Sequence, residues 1–180
     1  MITIISGTNR PNNMTLKFAQ HLQTIFQKHT TEPVHLIDLH ALPHDWYHAA
    51  MYGADTQSDS IREVQDKYLL PAEKVVYVAP EYNGSFAGVM KLFIDAVSIR
   101  EYKPTFAGKK AALVGVSTGR AGNLRGLTHL TGVLNHVGSV VFPNQLPLSL
   151  VGGFMTEDGE ITSEDTLKLL DDYAQSFIAF

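Results

Sequence analysis

Apolar residues occur along this chain in two alternating patterns. Five short runs rich in β-branched and aromatic residues predict strands at 1–6, 33–39, 75–79, 109–117 and 139–142. Elsewhere apolar residues recur every three or four positions, which predicts helices at about 16–26, 59–70, 86–100, 127–137 and 162–178. Strands that alternate with helices in this way indicate an α/β fold, with an open parallel sheet and helices on both faces.

Two segments follow neither pattern. Residues 41–60 contain Pro43, Gly53 and several aromatic residues but few aliphatic ones, which predicts a long surface loop that could cover a ligand. Residues 143–159 are irregular yet apolar, so we expect them to cover a partner subunit or the edge of a ligand rather than to face water. Together with the aromatic residues at 46–52, they predict a homo-oligomer, either a homodimer or a homotetramer.

The composition limits the class of protein. The chain has 180 residues, of which 44% are hydrophobic, and this predicts one domain spanning 1–180. Its net charge of -4 gives no basic surface for nucleic acid or an anionic membrane, so we expect neither as a partner. The absence of cysteine excludes thiolate catalysis and thiolate metal ligands. The chain starts directly with a strand pattern, without the features of a signal peptide, and we expect a cytoplasmic protein.

The loop after the first strand has the composition of a phosphate site. It runs from Gly7 to Thr15, just before a predicted helix, where backbone N–H groups and the helix dipole favour an anion. Hydroxyl, amide and guanidinium groups can supply the remaining donors. The candidate contacts are Thr8, Arg10, Asn12, Asn13, Met14 and Thr15. The loop matches neither the Walker pattern nor Gly-x-Gly-x-x-Gly. The structural alternative is a polar helix-capping loop with an incidental arginine.

Two further loops follow predicted buried strands. The third strand ends in Pro-Glu-Tyr-Asn-Gly-Ser at 80–85, and the fourth ends in the glycine-rich stretch 115–126. In open α/β sheets the ligand binds beyond the carboxyl ends of the strands, so these loops should meet the first one. Small residues in the second loop let backbone approach a flat ligand, and Ser117 and Thr118 can donate to ring carbonyls. The candidate contacts are Pro80, Glu81, Tyr82, Asn83, Ser117, Thr118, Gly119 and Gly122.

The three loops, in this order, resemble those of the NADPH-dependent FMN reductase family, flavodoxin-like enzymes that include quinone, azo and chromate reductases. Residues 80–95 are similar to the family's Pro-Glu-Tyr-Asn loop and following helix. Residues 7–15 are similar to its Gly-Ser-x-Arg phosphate loop, and 115–126 to its Gly-x-Ser-x-Gly-x-x-Gly-Gly flavin loop with the arginine that follows. The departures are Thr8 in place of serine, Thr15 one place later than the usual hydroxyl, and Asn123 where a glycine is common.

The resemblance implies a flavodoxin-like, doubly wound sheet of five parallel strands in the order 2-1-3-4-5, and an NAD(P)H-dependent oxidoreductase. FMN would be the cofactor, NADPH or NADH the hydride donor, and a small molecule the electron acceptor. The FMN phosphate would lie on the first loop and the ring between the other two. Since this chemistry requires no side-chain acid or base, we predict no catalytic residue and interpret Glu81 and Tyr82 as ring neighbours or subunit contacts. Arg120 and Arg125 are candidates for the 2′-phosphate of NADPH.

Other classes of protein are alternatives. A non-enzymatic flavodoxin-type electron carrier would need a strongly acidic docking face, which the weak net charge disfavours. A receiver-type signalling domain would need an acidic cluster after the first strand, where Ser6-Gly7-Thr8 stands.

Two local patterns also point to other chemistry. Residues 115–119 match the Gly-x-Ser-x-Gly of serine hydrolases, but only His129 and His136, both in the next predicted helix, follow Ser117. Histidines recur every four positions at 40, 44 and 48, as on a metal-binding helix face. Pro43 interrupts that helix, and no carboxylate or cysteine lies at ligand spacing, so no metal site is predicted.

Overall fold

A computed structural model describes residues 1–53 and 55–180 of the chain. The strands are β1 (Ile2–Ser6), β2 (Val34–Asp38), β3 (Lys74–Pro80), β4 (Lys110–Val116), β5 (Val140–Val141) and β6 (Leu146–Leu148). The α-helices are α1 (Met14–His29), α2 (Asp59–Val64), α3 (Gly88–Val97), α4 (Tyr102–Phe106), α5 (Leu124–His136) and α6 (Glu164–Ala179). A π-helical turn at Gln65–Leu69 continues α2, and a 3₁₀ turn at Val151–Gly153 follows β6.

The strands form one parallel sheet in the order β2-β1-β3-β4-β5, which confirms the predicted order and the predicted doubly wound α/β fold. The longest pairing joins β3 to β4, from Lys74 opposite Lys110 to Pro80 opposite Val116. β1 lies between β3 and β2 and is parallel to both. β1 and β3 therefore flank the position at which the strand order reverses, which is where open α/β sheets bind ligands.

The far edge of the sheet differs from the prediction. The predicted fifth strand is only two residues long as β5. The chain then returns to the edge of β4 as β6, which pairs Leu146 with Val114 and Leu148 with Val116. The sheet thus gains a short sixth strand where we expected an irregular loop. Pro143, immediately after Phe142, has no N–H for the ladder and accounts for the interruption between the two pieces.

Successive strand residues point to opposite faces of the sheet, so each face carries apolar side chains. Helices cover both faces. On one face, Tyr77 of β3 belongs to a core with Phe93 of α3 and side chains of α2 and α5. On the other, Val76 packs in a core with Phe26 of α1 and Phe177 of α6, whose rings meet edge to face at 6.2 Å between centroids. Among the helices that the structure describes, none has the length and apolar character needed to cross a membrane.

The apolar side chains of the two irregular segments pack mainly into the protein's own core. In the 41–60 segment, where Ala54 lies outside the described residues, Trp46 and Met51 are buried on the α2–α3 face. In the 143–159 segment, buried apolar side chains join the α1–α6 core at Leu146, Leu148, Val151 and Met155. We expected this second segment to cover a partner subunit or the edge of a ligand. The partner-subunit alternative is wrong for these side chains, because they pack into the core, whereas Val151 also reaches the ligand cleft described below.

Candidate active site

An open cleft of about 430 Å³ lies at the carboxyl ends of β1, β3 and β4. The loops that follow these three strands all contribute to it, and Val151, beyond β6, adds an apolar contact. This volume is in the range of sites that hold small-molecule ligands and cofactors.

The loop between β1 and α1 brings a helix amino terminus and one cation to the cleft. Asn13 is the N-cap of α1, and its side-chain oxygen accepts the Leu16 N–H at 2.7 Å. Its amide nitrogen donates to the Arg10 carbonyl, also at 2.7 Å. We expected this amide to contact a phosphate; its oxygen and one of its two N–H groups instead hold the loop in shape, which leaves one N–H for a ligand. The Arg10 side chain, in contrast, forms no ion pair with any residue that the structure describes.

Tyr82 connects the loop after β3 to the loop after β1. Its hydroxyl lies 2.7 Å from the Thr8 hydroxyl, and the guanidinium of Arg10 lies over its ring, 5.7 Å from the centroid. Thr8 is fully buried, and its hydroxyl oxygen also accepts the backbone N–H of Arg10 at 3.2 Å. Thr8 therefore does not line the cleft. It contacts Tyr82, which does. Tyr82, which we interpreted as a ring neighbour, stands at the arginine end of the cleft.

Glu81 connects the loop after β3 to the loop after β4. One carboxylate oxygen accepts the Gly84 N–H at 2.9 Å, and the other accepts the Ser117 hydroxyl at 3.3 Å. The Ser117 oxygen in turn accepts the Gly119 N–H at 3.0 Å. The Ser117–Glu81 hydrogen bond joins the two loops, and each of the other two holds one loop in shape on this side of the cleft.

The chain reverses direction just after Glu81 in a tight turn. Tyr82 and Ser85 exchange two backbone hydrogen bonds, at 2.8 and 3.1 Å. Asn83 and Gly84 have φ angles of 53° and 77°, as expected of an Asn-Gly pair in a tight hairpin turn. Asn83 is exposed at the tip of this turn and does not line the cleft, contrary to the prediction.

Gly122 serves packing rather than ligand contact. Its φ is 55°, and a Cβ atom there would lie 2.6 Å from the carbonyl carbon of Pro147 and 2.9 Å from the backbone nitrogen of Leu148. Only glycine fits against β6 at this position, since any side chain would meet backbone. The predicted contact between Gly122 and a ligand is replaced by this contact with the sheet edge.

Most of the predicted contact residues meet at one place. Eleven of the fourteen line the cleft, namely Arg10, Asn12, Asn13, Met14, Thr15, Pro80, Glu81, Tyr82, Ser117, Thr118 and Gly119. Three lining residues were not predicted. Pro11 and Val116 adjoin predicted residues and could have been included. Val151 comes from a distant segment, and only its position after β6 brings it to the cleft.

The hydrogen bonds around Ser117 disfavour the hydrolase alternative. A serine nucleophile needs a base within hydrogen-bonding distance. In the described structure, Ser117 donates to Glu81, whereas His129 contacts the Ser85 hydroxyl through Nδ1 at 2.9 Å. The three histidines at 40, 44 and 48 are exposed, and His40 contacts the Asn9 carbonyl through Nδ1 at 3.1 Å.

A family profile, curated relatives and a solved structure all relate this chain to NAD(P)H-dependent reductases. The sequence profile of a family described as NADPH-dependent FMN reductase matches residues 1–151. The chain is 26% identical to a 2-hydroxy-1,4-benzoquinone reductase from a Burkholderia species, over 99% of this chain and 94% of the relative. It is 27% identical to an NADPH azoreductase from a Bacillus species, over 99% and 91%. Among solved structures, it is similar to the flavoenzyme NAD(P)H:(acceptor) oxidoreductase FerB of Paracoccus denitrificans, with a TM-score of 0.80, 26% identity, and coverage of 99% and 94%.

Proposed function

This chain belongs to the NADPH-dependent FMN reductase family, and from that premise we propose that the cleft between Arg10 and Ser117 is where it holds FMN and reduces its acceptor. The protein is an NAD(P)H-dependent oxidoreductase with FMN as cofactor, and small molecules are its acceptors. When bound, FMN would supply the redox chemistry that links NAD(P)H to the acceptor.

The phosphate of FMN is assigned to the Arg10 end of the cleft. The observation that carries this assignment is the guanidinium of Arg10, which forms no ion pair with the described residues and lies beside the amino terminus of α1. A helix amino terminus and a guanidinium both favour a dianion. The hydroxyl pair of Thr8 and Tyr82 adds a donor at the same end. The capping role of Asn13 arranges this loop, so the capping and phosphate interpretations are compatible.

The ring of FMN is assigned to the opposite end, between residues 80–81 and 117–119. Val116 and Val151 provide apolar contacts there, while Ser117, Thr118 and Gly119 bring hydroxyl and backbone groups. Polar groups beside apolar side chains suit a flat heterocycle with polar edges. We propose no catalytic side chain, because both oxygens of Glu81 already accept hydrogen bonds and hold the loops in place.

The acceptor is proposed to be a planar conjugated molecule, a quinone or an azo compound. The relatives named above reduce a benzoquinone and azo compounds, according to their names. Family membership also favours the enzyme over a flavodoxin-type electron carrier. Arg120 and Arg125, both exposed next to the Ser117 loop, are proposed to distinguish NADPH from NADH through the 2′-phosphate.

Assembly, location and domain organisation complete the proposal. We propose a homodimer or homotetramer, because Tyr47, Tyr52 and Leu150 remain 65%, 66% and 55% exposed. Light scattering that gives the mass of a monomer at micromolar concentration would contradict it.

We propose a cytoplasmic location, because the NAD(P)H that the protein consumes is an intracellular metabolite. We also propose that residues 1–180 form one domain, because a single sheet draws strands from both halves of the chain.

Anaerobic titration of the purified protein tests the proposed site and function together. We expect the apoprotein to bind one FMN per chain, NAD(P)H to bleach its visible absorbance, and a quinone or an azo dye to restore it. Flavin that binds with unchanged affinity when Arg10 and Ser117 are both replaced by alanine would place the site elsewhere. Bound flavin that NADPH and NADH both fail to reduce would support the electron-carrier alternative.

A further inference from the structure

The side chain of Asn123 is buried between the loop after β4 and the end of β3. It is 1% exposed, and its amide nitrogen donates to the carbonyl oxygens of Ala79 at 3.1 Å and Pro80 at 3.0 Å. Ala79 and Pro80 are the two residues immediately before Glu81. One side chain therefore fixes the position at which the chain leaves the sheet and enters the cleft.

Two glycines leave the space that this side chain occupies. A Cβ atom at Gly115 would lie 3.1 Å from the Cβ of Asn123, and one at Gly126 would lie 2.0 Å from its Oδ1. Gly115 is directly opposite Ala79 in the sheet. Asn123 can thus lie close to the β3–β4 strand pair only because neither neighbouring position carries a side chain.

Asn123 is also the N-cap residue of α5, but its side chain does not cap the helix. The side-chain oxygen of an N-cap asparagine usually accepts an N–H from the first helical turn. Here Oδ1 is buried and has no hydrogen-bond partner among the described residues. Turning the amide around would place Oδ1 against two carbonyl oxygens, so the donors must face β3. The side chain of Asn123 thus contacts β3 instead of capping α5. This leaves Oδ1 as a buried unpaired acceptor, which is unfavourable.

We propose that Asn123 is a positioning residue that sets the separation between the loop at 80–82 and the loop at 117–119, and thereby the fit of a flavin ring between them. The proposal rests on the function proposed above for this cleft. The Glu81–Ser117 hydrogen bond is a second bridge between the same two loops. The hydrogen bonds of Asn123 reach β3 and not the Arg10 loop, so its influence falls on the ring end of the site.

The test compares Asn123→Gly with Asn135→Gly, which makes the same change at an exposed position of the same helix. Glycine adopts the φ of 63° at position 123 without strain, so the first variant removes the amide and leaves the backbone conformation accessible. FMN and riboflavin should both bind about 3- to 30-fold more weakly, by the same factor, because ordering the ring end on binding would cost part of the free energy of the two lost hydrogen bonds. The absorbance spectrum of the bound flavin should also change. Asn135→Gly should leave both affinities and the spectrum unchanged.

Hydrogen exchange on the apoprotein gives a measurement that does not depend on flavin. Asn123→Gly should speed exchange across residues 79–86, and Asn135→Gly should not. Unchanged flavin affinities with unchanged exchange would overturn the proposal, as would a lower melting temperature as the only effect. If the wild-type protein binds no flavin, faster exchange at 79–86 would still support the positioning role while the function proposed for the cleft fails. Should Asn123→Gly not fold, Asn123→Asp keeps the shape but, protonated beside two carbonyl oxygens, can donate to only one of them, and equal flavin affinity in that variant would overturn the proposal.

Discussion

The hydroxyl group of Tyr82 lies 2.7 Å from the hydroxyl group of Thr8, so the loop after β3 is hydrogen-bonded to the loop after β1. Two hydroxyls that share one hydrogen bond keep one hydrogen free, whichever of them is the donor. When Thr8 is the donor, the free hydrogen is that of Tyr82, which lines the cleft and whose ring lies beneath the Arg10 guanidinium. Tyr82 therefore belongs with the groups to which we assign the phosphate.

Replacing Tyr82 with phenylalanine should weaken FMN binding through the phosphate end alone. The ring beneath Arg10 is retained, but a hydrogen bond that typically contributes about 0.5–1.5 kcal/mol is lost. We expect FMN to bind roughly 2- to 10-fold more weakly and riboflavin, which lacks the phosphate, to bind as before. Isothermal titration with both ligands measures the difference.

Tyr173→Phe is the matched control for that substitution. Tyr173 is 2% exposed and donates its hydroxyl to the Leu113 carbonyl at 3.1 Å, on the α6 side of the sheet. Losing this hydrogen bond should lower the melting temperature without changing the affinity for either flavin. Equal weakening of FMN and riboflavin in Tyr82→Phe would mean that Tyr82 acts on the ring after all.

Replacing Arg10 with alanine should have a larger effect of the same kind. A charge-assisted hydrogen bond to a phosphate contributes about 1.5–3 kcal/mol, so FMN affinity should fall roughly 10- to 150-fold. Riboflavin should bind the wild type and the variant almost equally. Fluorescence titration of both apoproteins measures this, with thermal melting as a control for folding. An unchanged FMN affinity in a folded variant would leave Arg10 with no phosphate role.

The order of the sheet was predictable because each long strand is a separate apolar run, and those runs alternate with helical patterns. β6 was missed because a strand of three residues with Pro147 at its centre carries no period-two signal. α4 was missed for a similar reason, since a five-residue element depends on tertiary contacts more than on local pattern. The helix predicted at 59–70 is present, but its last turn, Gln65–Leu69, is π-helical.

Much of the candidate site was also predictable, because its three loops carry recognisable residue types at strand ends. What the sequence could not reveal is how side chains pair across loops. Asn13 is chemically able to bind a phosphate, yet its amide oxygen and one of its two N–H groups are used within its own loop. Asn123 was noted only as a departure from a glycine pattern, and its contact with Ala79 and Pro80 depends on packing between strands.

Steady-state kinetics should show ping-pong behaviour. We expect one face of the bound flavin ring to stay open, so NAD(P)H and the acceptor should use that face in turn. Double-reciprocal plots at several acceptor concentrations should give parallel lines. Intersecting lines would indicate that donor and acceptor bind together and would require a second opening.

Glu81→Gln and Glu81→Ala should separate the charge of this side chain from its role in holding the loops. In the glutamine variant, the amide oxygen can still accept the Gly84 N–H, and the amide nitrogen can donate to the Ser117 oxygen, which has a second lone pair beside the one used by Gly119. The loops should therefore keep their spacing, and FMN should bind nearly as tightly as in the wild type. Alanine removes both contacts and should weaken FMN and riboflavin alike, by about 1.5–3 kcal/mol.

Both variants remove a negative charge from the end of the cleft assigned to the ring. Because reduction adds electrons to the flavin, losing a nearby carboxylate favours the reduced form, and the midpoint potential of bound flavin should become more positive in both variants. Spectroelectrochemical titration measures the potential, and flavin titration measures the affinity. A potential that shifts in Glu81→Ala but not in Glu81→Gln would assign the effect to loop geometry alone. No shift in either variant would place the Glu81 carboxylate away from the ring.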